Sequence, residues 1–253
     1  QADLEDAAAV AAWVAAFRPE AVINCAAWTR VDDCEANSEL AFRVNGAAVA
    51  HAASAAAAAG AAFVQVSTDY VFDGRSGVAY DEDAEPAPLG AYGASKLAGE
   101  RSALAAHPRA LVVRTSWLFG EGGPNFVDTI RGLIERGQRQ LRVVGDQVGA
   151  PTHASALARA ILDLLDRRAA GLVHFRGRDP VSWADFARAI VEESDPDVEV
   201  VTVTTAEFPR PAARPAYSVL AVGRAERLLG RRVTPWRLGL WEHLESTRQD
   251  RRH

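Results

Sequence analysis

The chain has 253 residues, of which 49% are hydrophobic and 24% charged, and its formal net charge is −5. That balance excludes a disordered chain and a general nucleic-acid binder, and the length allows a sizeable core in one large or two small domains. No apolar run reaches the roughly 18–20 residues of a membrane span, and Cys25 and Cys34 make neither a disulfide framework nor a metal-ligand cluster, so a reducing cytoplasm is the expected setting. All but one of the 28 basic residues are arginine, the exception being Lys96. There is no methionine and the chain opens on Gln1, so an N-terminal piece is expected to be missing.

In chain order, Asp6 is placed to cap a helix whose Val10, Trp13, Val14 and Phe17 follow the i, i+3, i+4, i+7 spacing, and Pro19 closes it. Ala21–Ala27 reads as a buried strand, Ser38–Gly60 as a long Ala-rich helix and Ala61–Ser67 as a second buried strand. A polar loop over Asp73–Gly90 precedes a helix at Tyr92–Ala106 and a third strand at Ala110–Ser116. Beyond Trp117 come a loop (Gly120–Pro124), a helix (Asn125–Arg136), a short strand (Leu141–Val144) and a helix (Ala154–Arg168). A strand (Leu172–Phe175), a helix (Ser182–Glu193), a β-branched strand (Val198–Thr204), a Pro/Arg loop (Phe208–Pro215) and two short helices complete the pattern. Apolar strands alternating with helices imply parallel βαβ units. The expected fold class is α/β, a Rossmann-like doubly wound parallel sheet, N-terminally incomplete, with a smaller C-terminal α+β substrate region. Residues 1–116 are expected to form the cofactor domain with 141–168 packing back on it. Residues 117–140 and 169–253 are expected to form the substrate-binding region. Ligands of such sheets bind at the carboxyl ends of the strands.

Three groups of residues carry chemistry. Tyr92 and Lys96 are four apart on a helix and share a face. An ammonium beside a phenol favours the phenolate, so Lys96 is expected to lower the Tyr92 pKa and make Tyr92 a usable proton donor or acceptor. Arginine does not mimic this compact charge. The stretch 67–74 (STDYVFDG) lies at a strand end, where a hydroxyl of Ser67 or Thr68 either bonds a substrate oxygen or caps a turn. The stretch 24–32 (NCAAWTRVD) lies at another strand end, where Ala26 and Ala27 either admit a flat ligand or form a tight turn.

Together with Val44-Asn45, RTSWLFG (114–120), Asn125-Phe126, GDQVGAPT (145–152), Arg214-Pro215 and Pro235-Trp236-Arg237, these motifs resemble the extended short-chain dehydrogenase/reductase family.

Within that family the chain is most similar to the dTDP-4-dehydrorhamnose reductases, and the resemblance covers nearly its whole length. It implies NAD(P)H-dependent reduction of the 4-keto group of dTDP-4-dehydro-6-deoxy-L-mannose to dTDP-L-rhamnose. Thr68, Tyr92 and Lys96 would be catalytic. Asp3, Leu4, Asn24, Ala26 and Ala27, with Tyr92 and Lys96, would hold NADPH or NADH, and Thr29, Val31, Tyr70 and Trp117 would face the sugar nucleotide. The related 4,6-dehydratases carry Thr-Asp-Glu where this chain has Thr68-Asp69-Tyr70, which favours reduction over elimination. Another sugar-nucleotide reductase or epimerase stays open, as does a non-catalytic subunit resembling the regulatory subunit of methionine adenosyltransferase. Some relatives are homodimers with Mg2+ at the interface, but no ligand cluster for Mg2+ is read here. No nucleic-acid or membrane partner is expected. The family's Gly-rich phosphate turn has no counterpart in this chain, and Gly120–Gly123 lacks its spacing, so the chain as given is expected to bind NADPH poorly or not at all, and the complete gene product to be active. Ala156 and Ala221 replace acidic residues common in the family.

Overall fold

A computed structural model describes residues 3–250, with side chains to residue 247. The first half runs α1 (Ala7–Phe17), β1 (Ala21–Asn24), α2 (Val31–Ala36), α3 (Ser38–Phe42), α4 (Ala48–Ala58), β2 (Ala62–Thr68), α5 (Ala91–Ala106) and β3 (Leu111–Thr115). There follow β4 (Leu118–Phe119), α6 (Phe126–Glu135), β5 (Gln140–Val144), β6 (Val148–Gly149), β7 (Thr152–His153) and α7 (Ala154–Asp166). The chain continues through β8 (Gly171–His174), β9 (Val181–Ser182), α8 (Trp183–Ser194), β10 (Glu199–Val203), α9 (Gly223–Leu229) and α10 (Trp236–Asp250).

The main sheet is parallel, in the order β1-β2-β3-β8. Its strands are apolar because both faces are covered. Val10 and Val14 of α1, the alanines of α4 and Ala103 of α5 pack on Phe63 and Val112. Leu157, Ile161 and Leu164 of α7, with Leu229 of α9, pack on Val64, Leu111 and Val113 from the other side. A second core gathers Phe119, Val127, Ile130, Leu141, Phe186, Ile190 and Trp236 around α6, α8 and β5.

Two expected boundaries are crossed. Residues 171–174, expected in the substrate region, join the main sheet beside β3. Of the range 141–168, β5 pairs with β10 in a separate two-stranded sheet, while α7 packs on the main sheet. Both pairings join distant segments, which local hydrophobic pattern does not encode. The ends of the expected ranges at residues 1, 2 and 251–253 lie outside the described residues. The helix expected over 38–60 is interrupted by a π turn at Arg43–Ala47. That turn carries Asn45, which accepts from Trp28 N (2.7 Å) and donates to the Trp28 carbonyl (3.0 Å) and Ser95 Oγ (3.1 Å). It therefore ties the loop after β1 to α5, a use of π turns that recurs near functional sites.

Helix α5 is seated by a buried ion pair. Arg114 on β3 donates from Nε to Glu100 Oε1 (2.8 Å) and from Nη2 to Glu100 Oε2 (2.7 Å), and Ser67 Oγ donates to the same carboxylate (2.5 Å). Both partners are almost fully enclosed. His174 lies beyond, its Nε2 3.4 Å from Arg114 Nη1 and its Nδ1 3.2 Å from the Tyr80 carbonyl. Burial and the Arg114 charge push its pKa down to about 3, so the ring is neutral. Arg114→Met leaves Glu100 buried without its cation and is expected to cost about 3–5 kcal/mol in urea unfolding, while adding Glu100→Gln recovers part of that loss.

Candidate active site

The carboxyl ends of β1, β2 and β3 lie side by side, with Asn24 opposite Gln65 and Thr68 opposite Thr115. Asn24 Nδ2 donates to Gln65 Oε1 (2.7 Å), and its Oδ1 accepts from Ala26 N (3.1 Å), which turns the chain at the strand end. Cys25 and Ala26 are left exposed and Ala27 half-buried.

Helix α5 brings Tyr92 and Lys96 to these ends. Gly93 is required there, because a side chain would run into the Tyr70 carbonyl. Lys96 is buried and donates to the Val66 carbonyl (2.7 Å). Burial pushes its ammonium down to about 8, against the upward pull of the Glu100 carboxylate. Tyr92 is displaced the other way from expectation. Burial raises its phenol above the ordinary range, the hydrogen bond with Thr68 opposing it, and Lys96 is not among the groups that shift it. The i, i+4 spacing puts the two side chains on one face, but the lysine nitrogen is spent on Val66.

Thr68 Oγ1 donates to Asp69 Oδ1 (3.1 Å) and accepts from Tyr70 N (3.2 Å), so it also caps the turn 69–71. Asp69 is buried and its Oδ2 has no hydrogen-bond partner among the described residues. Burial raises its carboxyl to about 6, although the Ser218 and Thr68 hydroxyls pull it down. The Tyr70 and Tyr92 rings meet edge to face, 5.7 Å apart.

Val31, Tyr70, Tyr92 and Gly93 line one small cleft. Tyr70 also lines an adjoining cavity of about 490 Å³, with Phe126, Trp183, Phe208, Arg210 and Arg214. That volume suits a small-molecule ligand. Trp117 reaches this cavity through Trp183, on which it stacks at 3.5 Å. Thr29 is exposed on the loop leading to Val31. Asp3 is exposed and accepts from Glu5 N (3.0 Å), while Leu4 packs on the α1/α4 core. No hydrogen bond among the described residues ties either to Thr68, Tyr92 or Lys96. Sequence reasoning missed the burial of Asp69 and the parts of Trp183, Phe208 and Arg210, which reach the cavity only through the fold.

The RmlD substrate binding domain family matches residues 1–249. The dTDP-4-dehydrorhamnose reductase of Mycobacterium tuberculosis (strain ATCC 25618 / H37Rv) is 44% identical over 247 residues, which cover 92% of this chain and 80% of that protein. The crystal structure of a dTDP-4-dehydrorhamnose reductase from Clostridium acetobutylicum superposes with a TM-score of 0.92 at 40% identity, covering 97% of this chain and 87% of the other. That of the Bacillus anthracis enzyme, in complex with NADP, has a TM-score of 0.92 at 38% identity and covers 96% and 86%.

The Asp69 carboxyl keeps its proton to about pH 6 in the folded chain but loses it near 3.8 when unfolded. Between those values the native state binds more protons, so stability falls as pH rises from about 4 to 6. Asp69→Asn is expected to flatten that segment of a urea-unfolding pH series.

Proposed function

The chain belongs to the RmlD substrate binding domain family, and on that footing we propose that it reduces the 4-keto group of dTDP-4-dehydro-6-deoxy-L-mannose with NADPH, giving dTDP-L-rhamnose. The observation that carries the reading is the meeting of Thr68, Tyr92 and Lys96 at the strand ends, beside a cavity of ligand size. The residues present fit a nicotinamide nucleotide. Ala26 is small and exposed, Lys96 has two N–H donors beyond the one given to Val66, and the Thr115 hydroxyl opposite Thr68 is buried without a partner among the described residues. Asn24, Ala26, Ala27 and Lys96 would hold the cofactor, whose chemistry is hydride donation to C4.

The chain's residues handle the proton. Burial keeps Tyr92 protonated, which suits a donor: its O–H gives a proton to the oxygen at C4 as the carbonyl becomes an alcohol, and the phenolate regains one from solvent. Thr68, at the end of β2, bonds the oxygen that Tyr92 protonates. Lys96 supplies positive charge under the site. Val31, Tyr70 and Trp117, with Thr29 at the rim, face the sugar nucleotide, and the aromatic cavity with Arg210 and Arg214 takes its nucleotide end. The reading includes a cytoplasmic setting, which two unpaired cysteines support, and a homodimer. Among the described residues no helix is long and apolar enough to cross a membrane.

NADPH oxidation with the 4-keto sugar nucleotide tests the reading. Tyr92→Phe is expected to lower kcat by about 10²–10⁴, and a variant as fast as wild type removes Tyr92 from the mechanism. Since the Lys96 ammonium is half lost near pH 8, kcat/KM is expected to fall about tenfold per pH unit above that point.

A further inference from the structure

We propose that Asp32, which takes no part in proton or hydride transfer, positions two arginines that recognise the diphosphate of the substrate; this rests on the sugar-nucleotide reading above. Asp32 lies in the first turn of α2. Its Oδ2 accepts from Arg210 Nε (3.1 Å) and Nη2 (2.8 Å), and its Oδ1 accepts from Ala212 N (3.1 Å) and meets Arg214 Nη2 (3.0 Å). One carboxylate thus holds three alternate residues of the segment 208–215 from across the molecule. Arg214 also donates to the Ala212 carbonyl (2.7 Å), which fixes its stem.

Both guanidinium groups line the large cavity with Tyr70, the residue shared with the Tyr92 cleft. Each arginine has five N–H donors, and most remain beyond those given to Asp32 and Ala212. Arg210, Arg214 and Asp32 together carry a net charge of +1, and Arg142 lines the same cavity, which suits the two negative charges of a diphosphate diester. The planar fork matches phosphate oxygens in pairs. Without Asp32 the two cations repel one another. Pro209, Pro211 and Pro215 stiffen the segment, so one anchor sets the place of both arginines. Asp32 itself is an anion, so its contribution is placement and not attraction.

Calorimetric titration of dTDP and of thymidine into wild type, Asp32→Asn and Asp32→Glu tests this. Asp32→Asn is expected to weaken dTDP binding about tenfold and to leave thymidine within about twofold, with Asp32→Glu recovering most of the loss. In turnover, KM for the sugar nucleotide rises about tenfold while kcat stays within about twofold. Arg210→Gln, on the exposed rim, is expected to show the same selectivity and serves if Asp32→Asn folds poorly. Unchanged dTDP binding, or equal loss of dTDP and thymidine, overturns the proposal. Wild type that binds no dTDP overturns the reduction reading, and the proposal with it.

Discussion

The buried pair of Glu100 and Arg114 is the constraint on which the site depends. It joins α5, which carries Tyr92 and Lys96, to β3, and through Ser67 to the end of β2. Two charges removed from water are tolerated only with good geometry and full hydrogen bonding. Here both carboxylate oxygens are bonded, and a neutral His174 stands beside the guanidinium. The pair fixes the helix in rotation as well as in height, because the two contacts on the carboxylate are made at once. Lys96, one turn before Glu100, is thereby held under Val66.

Burial then sets the protonation of the site. The same enclosure raises Tyr92 and Asp69 and lowers Lys96, moving each toward its neutral form, although Lys96, at about 8, keeps most of its charge at neutral pH. For a reduction that ends in an alcohol, a phenol that keeps its proton until the carbonyl oxygen becomes basic is a suitable donor. Asp69, beside Thr68, is raised only to about 6, and its Oδ2, without a partner among the described residues, marks a polar group held at a cost in stability.

Much of this was legible in the sequence because it is local. Tyr92 and Lys96 announce themselves by helical spacing, and the apolar runs around Val64 and Val112 announce parallel strands. The Asp6 cap is found as expected, accepting from Ala9 N. What was not legible depends on distant partners. The six-residue α2 is too short for a periodic signal. The pairing of β5 with β10 joins segments about sixty residues apart. Asp32 meets Arg210 only after folding. The expected lowering of Tyr92 failed for a related reason: spacing places two stems on one face, whereas the position of a lysine nitrogen depends on which carbonyl it finds.

The central claim is that hydride reaches C4 of the sugar from the nicotinamide and that the chain adds only a proton. Turnover of the 4-keto sugar nucleotide with NADPH deuterated at nicotinamide C4, read by NMR of the product, tests it most directly. The account predicts one deuterium at C4 of dTDP-L-rhamnose for each NADPH oxidised. Product without deuterium at C4, or with hydrogen there drawn from solvent, would contradict it.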